Sequence, residues 1–153
     1  EEIDGLLKDY PNDPYFLVLK AQVLSEIGKF KEAISYYNKS LKILPESVLI
    51  MLPLCSLLLE DSNNFEAIKE ANNYLKLIVV KEPENILAWH LKGISHNRLG
   101  QPIRADLSAA EEFLRKRDFE NAKHFANKVI SATKKFSSEN LRASDIINLI
   151  NEI

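Results

Sequence analysis

PNDPYFLVLKAQVLSEIGKFKEAISYYNKSLKILPES, from Pro11 to Ser47, reads as two amphipathic helices set between proline-bearing turns. Pro11 and Pro45 cannot continue a preceding helix, and Asp13 and Ser47, two residues beyond each, are good N-caps for the next one. Pro14 suits a first helical position, where its missing N–H costs nothing. Counting from Pro14, Leu17, Ala21 and Leu24 share one face, and Gly28-Lys29 makes a turn. Phe30, Ala33, Ile34, Tyr37, Leu41 and Leu44 then form the stripe of a second helix. Steps of three, four and seven are the 3.6-residue period. Ala21 and Ala33 are small where the two helices of one hairpin approach closely.

The pattern recurs. Pro11 and Pro45 are 34 residues apart, and Pro83 follows 38 residues later in Glu82-Pro83-Glu84-Asn85, with Asn85 as the next cap. A self-similar period of this length marks stacked helical hairpins, and 34 is the tetratricopeptide period. The unit from about 14 to 47 resembles the tetratricopeptide consensus at its small, glycine, aromatic and proline positions; Lys20, where that consensus is apolar, departs from it. A second unit, about 48–85, places Met51, Leu54, Cys55 and Leu58 on its first helix. Ile68, Ala71, Leu75 and Ile78 lie on its second, with Asp61-Ser62-Asn63-Asn64 as a lengthened connection. Pro53 falls mid-helix, and a kink is expected there.

A third unit, about 86–136, carries Trp89, Gly93, His96, Gly100 and Ala105 at matching positions and then fuses with an extra hairpin. Pro102 to Lys116 is expected to serve both, followed by a turn at Arg117-Asp118 and a stripe of Phe119, Ala122, Phe125, Ala126, Val129 and Ile130. Residues 137–153 are expected to form a capping helix, with Ser138 as N-cap, that covers the last apolar face. Residues 1–13, with Ile3, Leu6 and Leu7, read as the tail of a helix begun upstream, and Glu1 in place of Met suggests a processed or excised chain. The predicted fold is all-α, a tetratricopeptide-repeat solenoid of antiparallel hairpins.

Composition narrows the function. Apolar residues make up 46% and charged residues 27%, enough for a packed core, and the net charge of −2 offers no basic field for nucleic acid. No stretch approaches the roughly 20 apolar residues that span a bilayer. The single cysteine, Cys55, forms neither an intrachain disulfide nor a multi-cysteine zinc site, and it reads as a small hydrophobe. His90 and His96 are six residues apart and diverge around a helix, so they make no i,i+4 ligand pair. With no HExxH, CxxC or phosphate loop, no catalytic residue, metal site or cofactor is expected. Trp89 reads as core, and Arg115-Lys116-Arg117 as a solvated patch at the negative pole of a helix. Lys134-Lys135 reads the same way.

The expected site is the concave face, lined by the first helix of each hairpin. Tyr15, Val18, Gln22, Ser25 and Glu26 would come from the first unit, and Leu49, Leu52, Ser56, Leu59 and Glu60 from the second. Leu87, His90, Ile94, Asn97 and Arg98 would come from the third. This apolar lining lacks the Lys and Asn pattern with which cochaperone repeat domains clamp a terminal carboxylate. A protein or peptide partner held by apolar burial is expected.

Four segments go beyond the generic repeat: Tyr-Pro-Asn-Asp-Pro-Tyr-Phe (10–16), Ala-Trp-His-Leu-Lys-Gly (88–93), Ala-Asp-Leu-Ser-Ala-Ala-Glu (105–111) and Leu-Arg-Ala-Ser-Asp-Ile (141–146). Together they resemble the C-terminal repeat region of BepA-like bacterial periplasmic zinc metallopeptidases. The resemblance implies a parent protein with an N-terminal HExxH domain, a periplasmic location and a role in outer-membrane protein quality control. It also implies that the repeats engage substrate or assembly machinery, while this chain hydrolyses nothing. The alternative is a free-standing cytoplasmic scaffold or secretion chaperone of the same fold.

Overall fold

The computed structural model describes residues 2–153, and among them it is all-helical. The helices are α1 (Glu2–Asp9), α2 (Pro14–Glu26), α3 (Phe30–Ile43), α4 (Val48–Leu58), α5 (Phe65–Lys81), α6 (Ile86–Arg98), α7 (Pro102–Arg115), α8 (Phe119–Ala132) and α9 (Ser138–Asn151). Each packs chiefly on its sequence neighbours, and the further contacts, α4 with α6 and α7 with α9, reach only two helices along the chain. This is the connectivity of a solenoid, in which every unit buries its face against the next in line. α7 packs on both α6 and α8, and α9 closes over α8 and α7.

Local chemistry sets the boundaries. The Asp13 carboxylate accepts from the Tyr15 and Phe16 amides at 2.9 and 3.0 Å, and Asn85 accepts from the Ala88 amide at 3.0 Å. Asn64 and Asp118 cap α5 and α8 in the same way. Ser47 occupies the expected cap position of α4, but its side chain makes no capping bond. The cap of α9 is Ser137, not Ser138: the Ser137 hydroxyl accepts from Asn140 while Ser138 is already helical. The hairpin turns at Gly28 and Gly100 have φ of 77° and 69°, a conformation nearly free for glycine. Arg117 takes the same region at φ 59° in the turn before α8. The helix continues through Pro53 to Leu58, and the proline has no N–H to give the Leu49 carbonyl.

The apolar stripes close into two clusters. The first joins α2 to α6 through Ala21, Tyr37, Met51, Leu54, Cys55, Ile68, Leu75 and Ile78, and the second joins α7 to α9 through Ala110, Ala122, Ala126, Val129, Ala143 and Ile146. Burial pushes the Cys55 thiol up to about 12, with the Glu70 charge adding to it, so at neutral pH it packs as a small hydrophobe. Phe30, expected in the α3 stripe, is 42% exposed.

Between the two clusters runs a polar seam. Asn72, Ser95, His96, Ser108, Glu111 and Glu112 are all buried there. The Asn72 amide donates to the Ser95 hydroxyl at 2.7 Å, Ser95 donates to the Lys92 backbone carbonyl at 2.9 Å, and His96 Nδ1 lies 2.8 Å from Oε1 of the Gln101 side chain. Among the described residues no buried side-chain nitrogen or oxygen lacks a partner, as burial of polar atoms demands.

Two predictions arise at the seam. Gly93 lies inside α6, and a Cβ there would sit 3.7 Å from the Ala105 carbonyl and the Ser108 Cβ, ordinary contact distances. Gly93→Ala is therefore expected to stabilise the fold by about 0.5–1 kcal/mol, since helical glycine carries the larger entropy cost. A lower urea midpoint for the variant would show that the α6–α7 contact is tighter than this.

The second concerns pH. Burial pushes the His96 imidazole down from 6.5 to about 4, against the Gln101 hydrogen bond and with help from the charges of Lys92, Arg104 and Lys76. A folded value below the unfolded one means the native state prefers the neutral ring. The stability this confers is complete above pH 6.5 and is lost as the pH falls from there towards 4. Urea midpoints across that window should fall more steeply for the parent than for His96→Gln, and parallel curves would contradict it.

Candidate functional site: a groove across three hairpins

A cleft of about 640 Å³ crosses the first helices of the first three hairpins. α2 brings Gln22, Ser25 and Glu26 to it, α4 brings Leu52, Pro53, Ser56 and Leu57, α6 brings Leu87, and Tyr37 reaches in from α3. These helices present one face together because the repeat, 34 residues from the start of α2 to that of α4 and 38 from there to α6, returns corresponding positions to the same side of the stack. Leu87 is 48% exposed, whereas Tyr37 is almost fully buried. Burial raises the Tyr37 phenol above its usual value, and a hydrogen bond with Ser25 opposes that shift. The Ser25 hydroxyl also donates to the Ala21 carbonyl at 2.9 Å, and Ser56 reaches the Leu52 carbonyl at 3.5 Å. The two serines thus lean on their own helices, while Gln22 and Glu26 flank the apolar side chains that α4 and α6 bring to the cleft.

Of the residues expected on this face, the cleft unites Gln22, Ser25, Glu26, Leu52, Ser56 and Leu87. Tyr15 and Leu49 are about 60% exposed but lie outside its lining. Val18, 6% exposed, and Leu59, 5% exposed, are drawn into the apolar cluster with Ala21 and Met51 and offer no open groove wall. His90, Ile94, Asn97 and Arg98 also lie off the cleft. His90 Nδ1 is 3.1 Å from the Glu112 carboxylate on α7, and the Arg98 guanidinium donates to the Leu59 carbonyl, tying α6 to the end of α4. Tyr37, Pro53 and Leu57 were not anticipated. Leu57, adjacent to Ser56 on a short apolar helix, gave no periodic signal that it turns outward.

A second cleft, of about 750 Å³, lies at the hairpin ends, where Phe30 and Ile34 of α3 face Ala67 of α5 and Leu57 of α4 beneath a rim that includes Glu32, Glu60, Asp61, Glu66 and Glu70. It accounts for the exposure of Phe30. The Arg115-Lys116-Arg117 patch is likewise more than a solvated end. Arg115, with a side chain 9% exposed, donates to Glu111 at 2.6 Å and to the Pro83 carbonyl, and its guanidinium lies 4.9 Å from the centre of the Trp89 ring. Trp89 donates from its indole to that same Pro83 carbonyl at 2.8 Å, so it is a partly buried strut between α6, α7 and the turn before α6. Among the described residues no group of three or more His, Cys, Asp or Glu side chains could hold a metal ion, and no helix is long and apolar enough to cross a membrane.

Residues 14–46 match the tetratricopeptide repeat. No curated protein matches the sequence. Among solved structures, MamA 41-end from Desulfovibrio magneticus RS-1 superposes with a TM-score of 0.71 at 16% identity, covering 98% of this chain and 82% of that one. A thermophilic TPR protein of Thermus thermophilus gives 0.57 at 17% identity, covering 95% and 87%. A tetratricopeptide repeat protein from Parabacteroides merdae gives 0.58 at 16%, covering 97% and 64%. At these identities the likeness is one of fold, and the fold is the tetratricopeptide helical solenoid.

Proposed function

We propose that the chain is a protein-interaction module that holds a peptide segment of a partner protein in the cleft across α2, α4 and α6. The observation that carries this reading is the convergence of Leu52, Pro53, Leu57 and Leu87 from successive hairpins on one open cleft. A concave, mostly apolar surface with a few fixed polar groups suits burial of alternate apolar side chains of a peptide, with Gln22, Ser25 and Ser56 available to its backbone. A photo-crosslinking residue placed at Leu87 should capture a discrete partner from the source cell, and Leu52→Glu should abolish that capture. Equal capture from a probe at exposed Lys42 on α3 would remove the basis for the groove.

The finer reading makes this module the partner-binding part of a bacterial zinc metallopeptidase engaged in envelope protein quality control, located in the periplasm. Its support is the set of four segments at 10–16, 88–93, 105–111 and 141–146. The gene's reading frame ahead of Glu1 should then encode an HExxH peptidase domain, and cell fractionation should place the protein in the periplasm. A frame without that domain, and protein in the cytoplasmic fraction, would instead make it a scaffold or secretion chaperone.

A further inference from the structure

A separate cleft, of about 330 Å³, opens between α5, α6, α7 and α9 and shares no lining residue with the α2–α4–α6 groove. Four cations line it, Lys76, Lys92, Arg104 and Arg142, against two carboxylates, Glu111 and Glu139. The surplus of two positive charges stands out in a chain whose net charge is −2. The carboxylates are already engaged: Arg142 and Arg115 hold Glu111, and Arg104 lies 3.5 Å from Glu139. Lys76 and Lys92 have no carboxylate partner among the described residues, and the Lys92 ammonium lies 5.2 Å from the centre of the Trp89 ring.

Lys92 sits half-buried in the stripe of α6 that faces the seam, at a place where an apolar side chain would serve packing better. Burial lowers its pKa, Glu111 pulls the other way, and Lys76 and Arg104 push it lower still. Three cations therefore repel one another around one small cavity. An anion seated there would relieve that repulsion and replace lost hydration with charge-assisted hydrogen bonds. We propose that this cleft binds a small dianion, a phosphate monoester or a dicarboxylate, with Lys76 and Lys92 as its charge partners. The two unpaired ammonium groups match two negative charges, and the volume admits a group of this size but not a folded segment.

The test is titration of the full chain, by calorimetry and by amide chemical shifts, with inorganic phosphate, succinate and acetate in a low-salt, phosphate-free buffer. Saturable binding of one phosphate or one succinate per chain is expected, with acetate about tenfold weaker or more because it satisfies only one lysine. Phosphate alone would identify a phosphate-bearing ligand and succinate alone a dicarboxylate. Lys92→Gln and Lys76→Gln should each weaken binding about tenfold, and Lys42→Gln, exposed on α3, should leave it unchanged. Lys76 is exposed on α5, so its variant keeps the fold even if the Lys92 variant is perturbed. No saturable binding, equal affinity for acetate, or unchanged affinity in Lys76→Gln would overturn the proposal.

Discussion

Glu111→Ala should lower the stability of the fold by about 3 kcal/mol. The residue is 3% exposed and its carboxylate carries three arginine contacts: Arg142 Nε at 2.5 Å, Arg142 Nη2 at 2.9 Å and Arg115 Nη1 at 2.6 Å. Truncation leaves two guanidinium groups close together, with only the exposed Glu84 carboxylate, 3.9 Å from Arg115 Nε, as a remaining counter-charge. Breaking a buried ion pair from one side costs about 3–5 kcal/mol, because the remaining charge stays desolvated. The lower end applies here, since the Arg142 side chain is 39% exposed and can turn to water while Arg115 keeps the Pro83 carbonyl. Urea denaturation at neutral pH reads the effect, and a loss below about 1 kcal/mol would mean that the arginines relax without cost. The same site has a pH dependence. Burial by itself raises the Glu111 carboxyl, but hydrogen bonds from Arg142 and Arg115 outweigh it and hold the group below its ordinary 4.5. A folded value below the unfolded one gives stability that is complete above pH 4.5 and lost as the pH falls through the lowered value. The gap between the parent and Glu111→Gln should therefore narrow on acidification below 4.5.

Leu75→Ala is expected to cost about 3–4 kcal/mol by a different route. Leu75 has no exposed surface, and α5 is packed between α4 and α6. Deleting its isobutyl group removes dispersion contacts and leaves a void that two supporting helices cannot both close. Against a total of about 5–15 kcal/mol for a domain of this kind, that is a large fraction. Leu77, two residues on and 42% exposed, supplies the comparison: Leu77→Ala should stay within about 0.5–1 kcal/mol by the same thermal or urea measurement. Similar losses for the two would show that α5 is not wedged as described.

The hairpin architecture was legible because its determinants are local. Asp13 caps α2, Pro14 opens it, and Gly28 turns the chain into α3, each within a few residues of the pattern that announces it. The apolar stripe of α5 was readable for the same reason. What escaped was non-local. Arg115 looked like a cation at a helix end, yet its carbonyl partner at Pro83 lies 32 residues away. Its carboxylate partner at Glu111 was one turn earlier in the sequence, so part of the signal was present. Lys92 and His96 occupy the inner stripe of α6, where period alone predicts apolar side chains. Only the arrival of Asn72 and Gln101 beside His96, and of Glu111 beside Lys92, makes their burial tolerable. For the groove, taking the same face of each first helix was enough to find Gln22, Ser25, Glu26, Leu52, Ser56 and Leu87. Val18 failed because a single helix cannot reveal that a neighbour has sealed its edge.

The division of apolar packing into an α2–α6 block and an α7–α9 block has a thermodynamic consequence. Every residue of the peptide groove belongs to the first block, and hydrogen bonds such as His90 with Glu112 and Arg115 with the Pro83 carbonyl cross to the second beside the close approach of α6 and α7 at Gly93. A guest in the groove stabilises only the block that holds it, by an amount set by its occupancy. The two halves of the chain should then melt as separate events, with saturation by a peptide moving one transition upward and leaving the other where it was.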